Sequence, residues 1–228
     1  MLCRGYFKFG NTKTVSCSME KLQELLIGYN RTHNGFGLGW HRQFLSAPLP
    51  FYWRKVYELL SNIGRMNRIV EIGCGLGDVL ACCCDLGFET IFGYERDLGV
   101  GTLAKQKISD MFGRDGIIVK ADFRSRPVAC DVLLMVNCVY ADGTQTKEQY
   151  CQLLRDFVLL AGNPQWMIYE SVDAVSSGTH EVFPVHVRLS EAEVHELFPD
   201  RHVQGWQTYR MPQNRTDKRL YLLERRAS

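Results

Sequence analysis

Eight consecutive residues carry the densest chemical signal in the chain: Glu71-Ile72-Gly73-Cys74-Gly75-Leu76-Gly77-Asp78. Alternate glycines let a backbone turn sharply and approach a ligand with no side chain in the way. A helix that starts at such a turn presents unpaired N–H groups and a partial positive charge, which suits a phosphate or a carboxylate. The dinucleotide pattern G-x-G-x-x-G would place glycine at position 78. This chain has Asp78 there, a carboxylate that would repel a pyrophosphate at close range. Glu71 adds an acid two positions before the first glycine, and Glu95 follows Gly73 by 22 positions. A carboxylate at that spacing accepts hydrogen bonds from both hydroxyls of a ribose. NAD-binding enzymes share this last feature, so it marks an adenosine without choosing between cofactors.

These residues need a strand–turn–helix scaffold, and the surrounding pattern supplies one. Arg68 to Ile72 reads as a short apolar strand, Asp78 to Leu86 as a helix ended by Gly87, and Thr90 to Glu95 as a second strand. A helix from Val100 to Phe112 stops at Gly113. Gly116 to Ala121 is a third strand, Asp131 to Asn137 a fourth, Thr146 to Leu160 a helix and Gln165 to Glu170 a fifth strand. Apolar strands separated by helices indicate a parallel sheet covered on both faces. Ser190 to Phe198 is a helix opened by a Ser190/Glu193 capping box. His202 to Tyr209 and Arg219 to Glu224 are strands joined by a turn at Pro212-Gln213-Asn214, hence antiparallel neighbours. Upstream, Phe51 to Ile63 is an amphipathic helix, and Met19 to Tyr29 a helix capped by Ser18. Between them runs Asn34-Gly35-Phe36-Gly37-Leu38-Gly39-Trp40-His41, expected as an irregular lid because its aromatics are costly to leave in water. The expected architecture is α/β: a mostly parallel sheet with a C-terminal antiparallel strand and helices on both faces. Residues 1–50 form an N-terminal helical cap and residues 51–228 the main domain.

On these residues the chain resembles the class I S-adenosylmethionine-dependent methyltransferases, whose motif I is similar to Glu71-x-Gly73-x-Gly75-x-Gly77. The resemblance covers about residues 52–225 and implies a Rossmann-like methyltransferase sheet. It implies that the loop, with Glu71, Gly73, Cys74, Gly75 and Gly77, holds the methionine part of S-adenosylmethionine. Glu95, with Arg96 beside it, becomes the ribose ligand. Asp122 would receive the adenine amino group with Phe123 near the ring, although a cap or turn role for Asp122 remains open. Asn137 and Tyr140, after the fourth strand, stand where an open sheet meets its ligand and face the transferable methyl. Asn137-x-x-Tyr140 also matches half of the Asn-Pro-Pro-Tyr motif of methyltransferases acting on adenine or glutamine amino groups. Both prolines are missing.

Methyl transfer from a sulfonium is a displacement in which the protein chiefly aligns the acceptor. A hydroxyl or ammonium acceptor must also lose a proton. Candidate bases are His33, His41, His180, His186 and Glu170, of which Glu170 ends the fifth strand and His41 belongs to the lid. Tyr29, Phe36, Trp40, Phe51, Tyr52 and Trp53 either line an acceptor pocket or pack the N-terminal segment on the sheet. The net charge of +2 gives no average pull toward nucleic acid or an anionic membrane. The denser basic patch Arg215, Lys218, Arg219, Arg225 and Arg226 reads as the solvated face of a terminal strand. The start of the chain lacks a signal peptide's apolar core, and no run of eighteen apolar residues spans a membrane. Nine cysteines without zinc-site spacing read as small buried hydrophobes in a reducing cytoplasm; no metal is expected. These features point to a small-molecule acceptor, methylated on oxygen or nitrogen, with S-adenosylhomocysteine as product. The alternatives are a methyltransferase acting on a nucleic acid or a protein side chain, a NAD-binding oxidoreductase and a non-catalytic cofactor-binding protein.

Overall fold

The computed structural model describes residues 18–33, 38–138, 141–176, 183–211 and 216–227. Among these residues eight strands form one sheet: β1 (Ile69–Ile72), β2 (Ile91–Tyr94), β3 (Ile118–Val119), β4 (Val132–Met135), β5 (Trp166–Asp173), β6 (Arg188–Leu189), β7 (Arg201–Met211) and β8 (Thr216–Arg225). Their order is β3-β2-β1-β4-β5-β8-β7. The first five run parallel, and β8 lies antiparallel between β5 and β7. The order reverses between β1 and β4, which opens a crevice at the carboxyl ends of those strands.

Alternation along the strands divides the core between two faces. Ile69, Val132, Leu134 and Ile168 point to one side, where they pack with α1 (Met19–Thr32), α2 (Phe51–Ser61), α3 (Asp78–Asp85) and α4 (Leu98–Phe112). Val70, Leu133, Met135 and Met167 point to the other, under α5 (Lys147–Leu160) and α6 (Glu191–Leu197). Local signals fix the ends of these helices. Ser18 accepts from the Lys21 amide, and Thr146/Gln149 and Ser190/Glu193 form capping boxes. Gly113 closes α4 at a φ of 63°. The N-terminal segment joins the first core through Leu22, Leu26, Phe44 and Leu49, all essentially buried. Burial of that kind stabilises by about 1.5–3 kcal/mol per side chain, enough to seat this segment on α3.

The end of β5 differs from expectation in a way that bears on the site. β5 continues to Asp173, so Glu170 lies inside the strand rather than at its tip. Continuous pairing with β8 through Val172 and with β6 at Val172 and Asp173 extends it. β6 itself, only two residues long, has no pattern that a sequence reading detects. The basic C-terminal patch is also corrected at Lys218. β8 is an interior strand, so alternate side chains point inward, and Lys218 is buried. Arg219 is tied to Asp173 and Glu191 instead of being freely solvated. Among the described residues no helix is long and apolar enough to cross a membrane.

Candidate functional site

The turn after β1 is built by three left-handed glycines, Gly73 (φ 68°), Gly75 (φ 52°) and Gly77 (φ 77°). Only glycine adopts such angles at little cost. Space matters as much: a Cβ on Gly73 would lie 2.6 Å from the Cys138 Cβ, and one on Gly75 would meet the Trp40 ring at 3.1 Å. The turn is pinned by the Cys74 amide, which donates to the Tyr94 carbonyl at 2.9 Å, and by Glu95. One Glu95 oxygen accepts from the Gly75 amide at 3.0 Å and the other from the Asp97 amide at 2.9 Å.

In front of the turn opens a cavity of about 1040 Å³. Of the residues singled out in the sequence, Glu71, Gly73, Cys74, Gly75, Glu95, Arg96, Asp122, Phe123, Asn137 and Glu170 all line it. Gly77 and His41 are not among its lining residues. Tyr140, Phe36 and His180 lie outside the described residues. Trp40, Phe44 and Tyr52 form part of its wall. Trp53, by contrast, is fully buried, and its indole donates to the Asp78 carbonyl at 2.7 Å. Phe51 is exposed, and Tyr29 stacks on His33 and donates to Asp110. His186 approaches the Thr144 hydroxyl at 3.3 Å.

The β3 end of the cavity is ordered by charge. Asp122 caps the short turn Phe123–Ser125 through the Arg124 amide and also pairs with the Arg124 guanidinium. Hydrogen bonding from Arg124 holds its carboxyl below the usual range. Asp142 pairs with both Arg96 and Arg124, linking the ends of β2 and β4. Phe123 is wedged edge-on against Tyr94, centroids 5.0 Å apart.

At the centre, Glu71 is buried, and its Oε2 has no hydrogen-bond partner among the described residues. Burial first, then the neighbouring Asp78 and Glu95 charges, push its carboxyl well above the ordinary range. A buried carboxylate oxygen without a partner is a costly arrangement that a cationic ligand group relieves.

Behind the turn, Asp78 meets a different fate from the one its position suggests. Its carboxylate accepts from the Lys107 ammonium at 2.5 Å and the Asn30 amide at 3.1 Å, and lies 3.4 Å from His41 Nε2. Lys107 balances its charge, so repulsion of a pyrophosphate does not by itself exclude a dinucleotide. His41 is buried behind the lining, stacked on Phe44 and edge-on to Trp40.

The β4–β5–β8 end holds a polar group that sequence reasoning only half found. Asn137 follows β4 with a φ of 53°, unusual outside glycine. The Lys218 ammonium donates to Asn137 Oδ1 at 2.7 Å and lies 3.6 Å from Glu170 Oε2. Glu170 Oε1 accepts from the Thr208 hydroxyl at 2.9 Å. Lys218 and Thr208 were missed because strand alternation assigns their faces only once β8 is known to be interior.

No protein-family model matches the sequence, and no curated protein matches it. Solved structures do share its fold. The magnesium protoporphyrin IX methyltransferase of Synechocystis PCC 6803, solved with bound SAH, superposes with a TM-score of 0.63 at 14% identity, over 90% of this chain and 100% of that one. The same enzyme with bound SAM gives 0.61 at 12% identity, over 90% and 97%. The methyltransferase domain of bacterial CtHen1 gives 0.58 at 14% identity, over 78% and 98%. The strand order, the glycine turn after β1 and these superpositions agree: the chain has the class I S-adenosylmethionine-dependent methyltransferase fold.

Proposed function

We propose that this chain transfers a methyl group from S-adenosylmethionine to a small-molecule acceptor. The observation that carries the reading is Glu71 Oε2, buried and unpartnered beside three left-handed glycines at the switch point of the sheet. Its carboxylate fits the cofactor's ammonium. Glu95, at the end of β2, fits the ribose hydroxyls, with Arg96 beside it. Asp122 and Phe123, at the end of β3, fit the adenine, Asp122 through an oxygen it shares with Arg124. Cys74 and Gly77 belong to the same turn, and Trp40 over Gly75 excludes water from it. Bound there, the cofactor supplies a methyl carbon activated by a sulfonium.

The remaining space lies toward β4, β5 and β8, where Asn137 and Glu170 orient the acceptor; Tyr140 belongs to the same stretch of sequence. His41 works from behind, seating the Trp40 segment on Asp78. A ligand pocket commonly spans about 300–1,000 Å³; 1040 Å³ is room for the cofactor together with a compact acceptor. The mitomycin 7-O-methyltransferase, a similar structure at TM-score 0.54 and 14% identity, acts on a molecule of that kind. In this reading residues 1–50 are the cap, residues 51–228 carry catalysis, and the enzyme works in the cytoplasm. Buried thiols such as Cys82 and Cys83, pushed well up by burial, suit a reducing compartment.

Thermal shift with S-adenosylhomocysteine against NAD tests the reading. A ligand at 100 times its Kd stabilises by about 2.7 kcal/mol, a rise of about 5–11 °C for a chain of this size. S-Adenosylhomocysteine produces that rise and NAD none. Stabilisation by NAD alone overturns the proposal. Glu95→Ala weakens S-adenosylhomocysteine binding at least tenfold, whereas Asn137→Ala largely spares it.

A further inference from the structure

We propose that the acceptor is an aromatic hydroxyl, methylated on oxygen, which sits between Glu170 and Lys218. This rests on the methyltransferase reading above and assigns its other half-site. Along the carboxyl ends of the strands, β3, β2 and β1 are taken up by the residues fitted to adenine, ribose and methionine. The part of the cavity over β4, β5 and β8 is left for the acceptor. Four side chains there carry the argument: Glu170, Lys218, Asn137 and Phe183.

Glu170 is 1% exposed, and its Oε2 has no hydrogen-bond partner among the described residues. Lys218 Nζ stands 3.6 Å away, beyond the ~2.7–3.2 Å of a formed N–H···O bond. The ammonium is instead held by Asn137 Oδ1 at 2.7 Å and lies 5.1 Å from the centre of the Phe183 ring. A ligand group that satisfies this pair must donate to the carboxylate and accept from the ammonium. A hydroxyl does both and keeps a second lone pair for the methyl carbon. A neutral amine has one lone pair, which the lysine would occupy. An ammonium has none and is repelled by Lys218. A carboxylate has no proton to donate and is repelled by Glu170. The hydroxyl must also be acidic enough to give its proton to a carboxylate beside a cation. Phenols, at a pKa of about 10, meet that condition far better than alcohols, and the Phe183 and Tyr52 rings flank the cavity for a flat partner.

In the reaction the acceptor's O–H bond breaks and its proton goes to Glu170 Oε2. The oxygen forms the new O–C bond as the C–S bond breaks, with that electron pair staying on sulfur as a neutral thioether. Lys218 stabilises the negative charge that builds on the oxygen. Glu170 then gives its proton to solvent, which closes the balance.

The test uses two probes of one shape that are both neutral at pH 7, 4-methylphenol and 4-methylaniline, titrated into the full chain saturated with S-adenosylhomocysteine. The phenol binds at least tenfold more tightly than the aniline. Lys218→Met abolishes that preference while S-adenosylhomocysteine binding persists, which certifies a folded pocket. Equal affinity for the two probes, absence of phenol binding, or an unchanged preference in Lys218→Met overturns the proposal. The wild-type comparison decides the matter even if the variant does not fold. Failure of the wild-type chain to bind S-adenosylhomocysteine sinks the methyltransferase reading instead.

Discussion

Replacement of Lys107 by methionine isolates the electrostatic support behind the glycine turn. Lys107 is fully buried on α4, and its ammonium lies 2.5 Å from Asp78 at the start of α3. Methionine fills similar space but leaves the Asp78 carboxylate in the interior with only Asn30 and His41. Removing one partner of a buried ion pair costs about 3–5 kcal/mol. For a chain of this length that is a fall in Tm of about 6–20 °C. Adding Asp78→Asn removes the stranded charge and returns about 1–3 kcal/mol.

The pH dependence separates this account from simple loss of packing. In the parent, burial alone would raise the Asp78 carboxyl, but Lys107, with His41, holds it below its ordinary value. Its contribution to stability is therefore present above the unfolded pKa of about 3.9 and is lost as pH falls through the lower folded value. In Lys107→Met burial prevails and the carboxyl rises, so the variant gains stability on acidification from about pH 7 to pH 4. Scanning calorimetry of the parent, both single variants and the double variant across that range is the assay. A cost below about 1 kcal/mol, additive effects in the double variant, or parallel pH profiles would refute the reasoning.

Three further substitutions probe the cavity wall. Gly73→Ala combines a left-handed backbone, which costs about 1–2 kcal/mol, with the 2.6 Å approach to Cys138. It lowers S-adenosylhomocysteine affinity more than tenfold by calorimetry, and Cys138→Gly restores part of it. Glu71→Gln acts in opposite directions on the free and bound protein. The raised Glu71 carboxyl contributes stability below its unfolded pKa of about 4.3, which is lost as pH rises through the folded value. The unliganded variant therefore melts higher than the parent at pH 8, while its stabilisation by S-adenosylhomocysteine shrinks; a lower melting point without ligand contradicts the account. Trp40→Ala removes the ring over Gly75, and stopped-flow measurement finds S-adenosylhomocysteine leaving about 2- to 12-fold faster, the range of an aromatic contact.

The side of the cavity built by the glycine turn was legible because its determinants are local. A strand, a glycine turn and a helix are consecutive in sequence, and Glu95 and Asp122 stand at the ends of the next strands. Cap signals such as Ser18, Thr146 and Ser190 likewise act within a few residues, and each starts its helix where expected. The side over β4, β5 and β8 depends on pairings remote in sequence. Lys218 reaches Asn137 across 81 positions and Thr208 reaches Glu170 across 38. Which face either side chain takes is fixed only when β8 inserts between β5 and β7. His41 and Asp78 carried plausible roles in isolation, but the partners 37 positions apart are locked together in the interior with Lys107.

Asp78 gathers more of the chain than its single carboxylate implies. Asn30 from α1 donates to its side chain, His41 from the segment that carries Trp40 lies 3.4 Å from it, Trp53 of α2 donates to its carbonyl, and Lys107 of α4 neutralises it. Residues 18–33 and 38–50 together contribute Asn30, His41 and the ring over Gly75. If these segments lift, their seating and occupancy of the glycine turn become linked equilibria, and linkage is reciprocal. Whatever factor ligand affinity would lose on their lifting, their seating would gain when the turn is filled. A protease that cuts the lifted segment reads that factor directly, as slower cleavage at saturating ligand.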